Sequence, residues 1–324
     1  MSRRPVGCTV VALAAVASLC TACGSSTSAR RPTTQSTPGW TRTGQGPVGL
    51  TVDHAGGTWV ADADSGSLAR LSAGGGAVTR RVRVGDAPLR LAGAGDGLWA
   101  TVFRDGALVR VDAATGRVTR RVHVGESPEG IVAASGAVWV VLEDPAQLVR
   151  VDPTSGRVLQ RVRSVGEAPR LVTTGAGALW VSDFESGTVV RVDPRTGRTR
   201  STPQLCQGPQ GMTFLNRRLW VACTTGEELV AVDPATLRPG GRLHLPGDPD
   251  AVAAAGDRLV VALQDGPALA LVDPGASGGS AHVVRRQVLG HAGPLYDRAN
   301  VDVRNGTAVV LSYLGGGVYR VPLD

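Results

Sequence analysis

Lysine is missing from the sequence altogether: all 34 basic side chains are arginine, set against 27 acids for a net charge of +7. With no nucleic-acid-binding motif beside it, an excess of that size does not mark a nucleic-acid partner, and none is expected. Aromatic residues make up only 4% of the 324 residues. The five histidines, His54, His123, His244, His282 and His291, fall in no metal-ligand spacing. No apolar run reaches the roughly 20 residues that a membrane-spanning helix needs. Small and apolar residues dominate instead, with 44 glycines and 42% hydrophobic residues, enough to fill a core and unlike a disordered chain. The length would suit two domains, but all-β architectures run past about 250 residues as one unit.

Arg3 and Arg4 precede an apolar stretch from Val10 to Leu19, shaped like a secretory signal. The stretch ends in Leu19-Cys20-Thr21-Ala22-Cys23-Gly24-Ser25-Ser26, which resembles a bacterial lipobox, although Cys20 stands where leucine is usual. The resemblance implies a signal peptide over residues 1–22, lipidation of Cys23, and anchoring on the extracellular face of the cell membrane. Two acyl chains suffice for stable anchoring, where one is marginal. Residues 23–39 are rich in Ser, Thr, Pro and Arg and read as a flexible tether with a reach of about 20–25 Å.

From residue 40 to 324 one template recurs. GLWATVFRDGALVRVD, AVWVVLEDPAQLVRVD and ALWVSDFESGTVVRVD are its clearest copies, with Trp59, Trp99, Trp139, Trp180 and Trp220 at one position and Val260 and Val309 continuing it. In every copy the residue twelve further on is apolar: Leu71, Val111, Val151, Val192, Val232, Val272 and Val321. Each copy divides into four short runs separated by turn residues. The first follows a proline (Pro47, Pro88, Pro128, Pro169, Pro209, Pro249), and Asp-Pro-x-x-Gly turns separate the third from the fourth. A four-stranded sheet buries both faces only by radial stacking, so the expected fold is all-β, a seven-bladed β-propeller of four-stranded antiparallel blades. The tryptophans and the turn aspartates then read as structural. Arginines on the outermost runs, such as Arg80, Arg81, Arg120 and Arg121, suit exposed edges that must not pair with other chains.

The seventh copy stops after its third run, at Val318-Tyr319-Arg320-Val321. Before the first copy, Thr41 to Pro47 aligns with Val82 to Pro88, so residues around Trp40 to Thr43 are expected to supply the missing strand and latch the ring. Cys206 precedes Pro209 by three residues and Cys223 follows Trp220 by three, which places them side by side on antiparallel strands. Export favours a disulfide there, if the Cα atoms fall within roughly 4.4–6.8 Å.

The repeat resembles the YVTN-type β-propeller repeats of exported bacterial proteins and, more distantly, the virginiamycin B lyases. It lacks the Gly-His and Trp-Asp signature of WD40 repeats. The lyase resemblance implies a metal-assisted elimination with a histidine base and glutamate-bound magnesium, but no Glu-x-His pair in the sixth or seventh repeat carries those roles over.

Other chemical motifs are weak. Gly275-Ala276-Ser277-Gly278-Gly279 matches a nucleophile elbow without the helix that must follow, and Asp62-Ala63-Asp64-Ser65-Gly66 starts like a calcium loop without its downstream glutamate. Strand order puts the loops after each second run, and those entering each first run, on one face. They carry Asp62, Asp64, Asp86, Asp105, Glu126, Glu143, Asp144, Glu167, Asp183, Glu185, Asp248 and Asp250, giving an acidic rim. Arg90, Glu129, Arg170, Gln210 and Asp250, just after the repeat prolines, should stand at the mouth of the central channel on that face and are the candidate ligand-binding residues.

The expectation is therefore a noncatalytic binding or interaction module, monomeric and held at the membrane by its lipid. It takes a small ligand or a protein partner on the acidic face, with no assigned catalytic residue and no cofactor, though a divalent cation is compatible with the acids. The alternative is a metal-dependent lyase or lactonase of the virginiamycin B lyase type.

Overall fold

The computed structural model describes residues 39–53, 56–275, 280–290 and 297–323. Cys23 with everything before residue 39, His54, His291 and Ser277 lie outside the described residues. Seven four-stranded antiparallel sheets succeed one another along the chain, with no helix among the described residues. Blade 1 runs outward through Pro47–Val52, Thr58–Asp62, Ser67–Leu71 and Val78–Arg83, and blade 6 ends the regular series with His282–Val288 as its outer strand. The six repeat prolines each open a first strand, where a missing N–H costs the ladder least.

Burial follows the stacking. Second strands such as Gly97–Val102 and Ala137–Leu142 are buried at every residue, because neighbouring blades cover both faces. The core is a set of inter-blade layers: Trp139 of blade 3 packs with Leu179 and Val181 of blade 4. Trp59, Trp99, Trp139 and Trp180 are wholly buried. Across the sheet from Trp139, Arg150 lies 5.6 Å from the ring centroid, and Arg191 sits likewise 5.9 Å from that of Trp180. Each such stack contributes about 0.5–2 kcal/mol and lets an arginine cover a core edge.

Blade 7 takes three strands from the C-terminus, Ala299–Arg304, Thr307–Ser312 and Gly317–Pro322, and its outer strand, Thr41–Arg42, from the N-terminus. Thr41 pairs with Val318 and Arg42 with Gly317. The Trp40 ring lies 4.5 Å from that of Tyr319, and the Thr43 N–H donates to the Gly316 carbonyl at 3.0 Å. From the same segment the Thr43 hydroxyl donates to Asp62 at 2.9 Å, fastening blade 7 to blade 1. Burial raises the Asp62 carboxyl to about 6 against the pull of Thr43 and Arg81.

The outer arginines also fasten blade to blade. Arg80 donates to the Ala114 carbonyl of the next blade at 2.6 Å and Arg120 to that of Ser155 at 2.8 Å. Arg320 reaches the Gly74 carbonyl across the closure. On the same face, Asp112, Asp152, Asp193 and Asp233 each fold back on their own turn. The Asp193 carboxylate accepts the N–H groups of Arg195 and Thr196 at 2.8 and 3.1 Å, and such backbone bonds hold all four carboxyls below their usual range.

Candidate functional site

One hydrogen bond recurs in all seven blades and builds the opposite face. The residue before each first strand offers its carbonyl to the N–H of the residue four beyond the tryptophan position. The pairs are Gly46 with Ala63, Ala87 with Phe103, Ser127 with Glu143, Ala168 with Phe184, Gly208 with Thr224, Asp248 with Gln264 and Arg298 with Tyr313, at 2.8–3.2 Å. Ala87 and Ser127 adopt φ of 56° and 50°, a left-handed backbone that costs a residue with a Cβ on the order of 1 kcal/mol or more, and the recurring bond holds them in it. Seven side chains, one per blade, thereby stand in a ring around the channel mouth.

Below that ring, Glu129, Arg170, Gln210 and Asp250 directly follow their prolines, and Arg90 follows Pro88 by two at a bulge. All five sequence-predicted residues line one chamber of about 780 Å³, together with Phe103, Glu143, Phe184, Gln264 and Tyr313 of the upper ring. Gly130 permits the close approach of the first strands, since a Cβ there would stand 2.6 Å from the Arg170 carbonyl. Beneath the floor the channel narrows to about 160 Å³, lined by Leu91, Ile131, Val172 and Met212 together with Thr173 and Asn300.

The floor is an alternating charge network. Glu129, only 6% exposed, accepts from Arg90 at 3.3 Å and lies 3.6 Å from Arg170, which in turn bonds Glu143 at 2.8 Å. Arg90 also donates to the Val48 carbonyl at 3.1 Å, and Arg170 lies 5.5 Å from the Phe184 ring centroid. Burial, reinforced by the hydrogen bond to Glu129 and its charge, pushes Glu143 up to about 8. Burial opposes ionisation of Glu129 as well, but its bond to Glu143 and the guanidinium groups of Arg90 and Arg170 hold it below the usual range. The two carboxyls are thus pushed apart, Glu143 toward its protonated form and Glu129 toward its ionised one. Asp250, buried, is raised by desolvation against Arg90, Gln264 and the Ala299 N–H, which it accepts at 3.0 Å.

The acidic rim needs correcting at two points. Asp62 and Asp183 end their second strands facing inward: Asp62 serves the ring closure, and Asp183 accepts the N–H groups of Glu167 and Ala168 at 3.1 and 2.9 Å. The chamber itself is mixed in charge, with Arg90, Arg104, Arg170 and Arg298 among its acids. The upper ring escaped sequence reasoning because its residue type changes at every blade, although its fixed place four beyond the tryptophan was there to be read. Cys206 and Cys223 form a disulfide with a Cα separation of 6.0 Å, clipping the loop into blade 5 onto that blade's second strand, one residue before Thr224 of the chamber wall.

A divalent cation does not fit the floor. Both glutamates are engaged by guanidinium groups, so a cation would displace an arginine to gain its ligands. Elsewhere among the described residues, Cys206 and Cys223 come together with Glu228, but the two sulfurs are bonded to each other.

No family model matches the sequence, and no curated protein is similar to it at a significant level. Solved structures do resemble the chain. A catalytically inactive virginiamycin B lyase from Staphylococcus aureus with quinupristin shares 17% identity over 88% of this chain and 98% of that one, with a TM-score of 0.75. The WD40 repeats of RRP9 share 10% over 88% and 100%, also at 0.75, and Kuenenia stuttgartiensis hydrazine synthase 15% over 90% and 99%, at 0.73. The chain is a seven-bladed β-propeller. At such identities the likeness establishes the fold alone, and a fold shared by a lyase and by WD40 repeats leaves the activity open.

Proposed function

We propose that this chain is an exported, lipid-anchored propeller that binds a small molecule at the mouth of its central channel and does not transform it. The observation that carries the reading is convergence: five polar residues from five different blades meet on the floor of one concave chamber, in a protein whose repeats are otherwise interchangeable. Export, the membrane location and the YVTN-type kinship rest on the lipobox around Cys23 and on the repeat. None of the described residues lining the chamber is a histidine, and the arginine-bound glutamates suit holding a ligand more than abstracting a proton.

The test is capture. Full-length protein on a support, exposed to spent culture medium and washed, should release at least one small molecule enriched about tenfold over a Glu129→Gln/Arg170→Met double variant that melts normally. Identical mass-spectrometric profiles would overturn the binding reading. Turnover of a streptogramin-type lactone, abolished by chelation, would replace it with the lyase reading. For the anchor, Cys23→Ala should release the protein into the medium or leave an uncleaved precursor, and unchanged acyl labelling would remove the lipobox assignment.

A further inference from the structure

Three properties of the chamber narrow its ligand. The first is charge balance. Four guanidinium groups, Arg90, Arg104, Arg170 and Arg298, face five carboxyl groups, Asp64, Glu129, Glu143, Asp248 and Asp250, so a ligand of one strong sign meets repulsion as well as attraction. The second is unmet hydrogen bonding at the floor. Gln210 Oε1, an acceptor, and Arg90 Nε, a donor, are buried without partners, and Glu129 Oε2 accepts no hydrogen bond, with Arg170 3.6 Å away. Acceptor and donor come from blades 5 and 2 and share the floor with planar carboxyl and guanidinium groups, a pattern matched by a ligand that both gives and takes hydrogen bonds.

The third is aromatic surface. Phe103, Phe184 and Tyr313 occupy the same ring position on blades 2, 4 and 7, above that floor. Arg170 and Arg298 lie 5.5 and 5.6 Å from the centroids of Phe184 and Tyr313, and Tyr313 is held by its hydroxyl donating to Asp64 at 3.0 Å. Fixed aromatic walls over a floor of mixed donors and acceptors suit a molecule with apolar C–H faces and hydroxyl edges.

Building on the binding reading above, we infer that the chamber takes a neutral, polyhydroxylated ligand, a saccharide of about two or three rings. Its hydroxyls bond Gln210, Glu129 and Arg90, and the ring faces lie against Phe184 and Tyr313.

Calorimetry on full-length protein in detergent with trisaccharides of matched size separates the alternatives: neutral cellotriose, maltotriose and chitotriose, cationic triglucosamine, and anionic trigalacturonate. At least one neutral trimer should bind with a Kd of about 1 mM or tighter. Phe184→Leu and Gln210→Leu should each weaken it about tenfold while leaving the melting temperature near that of the wild type. Binding of a charged trimer alone, or a non-saccharide released in the capture experiment with no neutral trimer bound, would overturn the saccharide assignment and leave the binding site standing. Capture of nothing would overturn the site itself.

Discussion

The two faces of the ring are built from the same repeat and differ in what they keep constant. On the turn face, Asp112, Asp152, Asp193 and Asp233 do the same thing four times, each binding backbone N–H groups of its own turn. On the mouth face the backbone repeats, with one carbonyl to N–H bond in all seven blades, while the side chains that it presents run through Ala63, Phe103, Glu143, Phe184, Thr224, Gln264 and Tyr313. Where the residue repeats, it serves the fold. Where only the backbone bond repeats, the side chain is free to be spent on a ligand.

The largest expected effect breaks the frame that both faces share. Removing residues 24–36 should leave the melting temperature almost unchanged. Removing residues 24–45 deletes the outer strand of blade 7, the Trp40–Tyr319 contact and the Thr43–Asp62 bond, and should lower it by on the order of 10 °C. Equal melting temperatures would mean that the ring closes without its latch.

Next comes the disulfide. Its 17-residue separation corresponds to about 3 kcal/mol in the chain-entropy model, so Cys206→Ser/Cys223→Ser should lose roughly that in denaturant titration. Because Cys223 directly precedes Thr224 of the chamber wall, the double variant should also loosen the mouth, read as faster amide exchange there than on the turn face. Uniform exchange would separate the clip from the site.

A smaller effect isolates the turn face. Asp193→Ala removes two backbone bonds from an exposed turn and should lower the melting temperature by roughly 2 °C. The effect read through pH belongs to Glu143. Its folded pKa, about 8, lies above the ordinary glutamate value, so the stability that it contributes is fully present below that ordinary value and is lost as pH rises through about 8. Wild type should therefore lose stability relative to Glu143→Gln between about pH 5 and 9. Asp62, raised to about 6, is common to both proteins and cancels in the difference. A constant difference across that range would mean that Glu143 is not pushed toward its protonated form.

The sequence disclosed most where position and residue type recur together. The tryptophan spacing marks every second strand of blades 1–5, and the prolines mark the first strands of blades 1–6, which is why Glu129, Arg170, Gln210 and Asp250 could be assigned to the channel mouth. Asp62 and Asp183 were misplaced on the rim because a strand's last residue and a loop's first are adjacent in sequence yet face opposite environments, one inward and one outward. The upper ring was hidden for the converse reason: Phe103 and Glu143 share a position but no chemistry. The recurring bond, at a fixed place four beyond the tryptophan position, shows that they are equivalent.

The most direct test of the account sets one residue from each face side by side in the capture experiment. Glu129→Gln leaves the turn face untouched, and Asp193→Ala leaves the mouth untouched. The account predicts that the first variant loses the enriched molecule and the second retains it at the wild-type level. Equal losses, or a loss confined to Asp193→Ala, would contradict it.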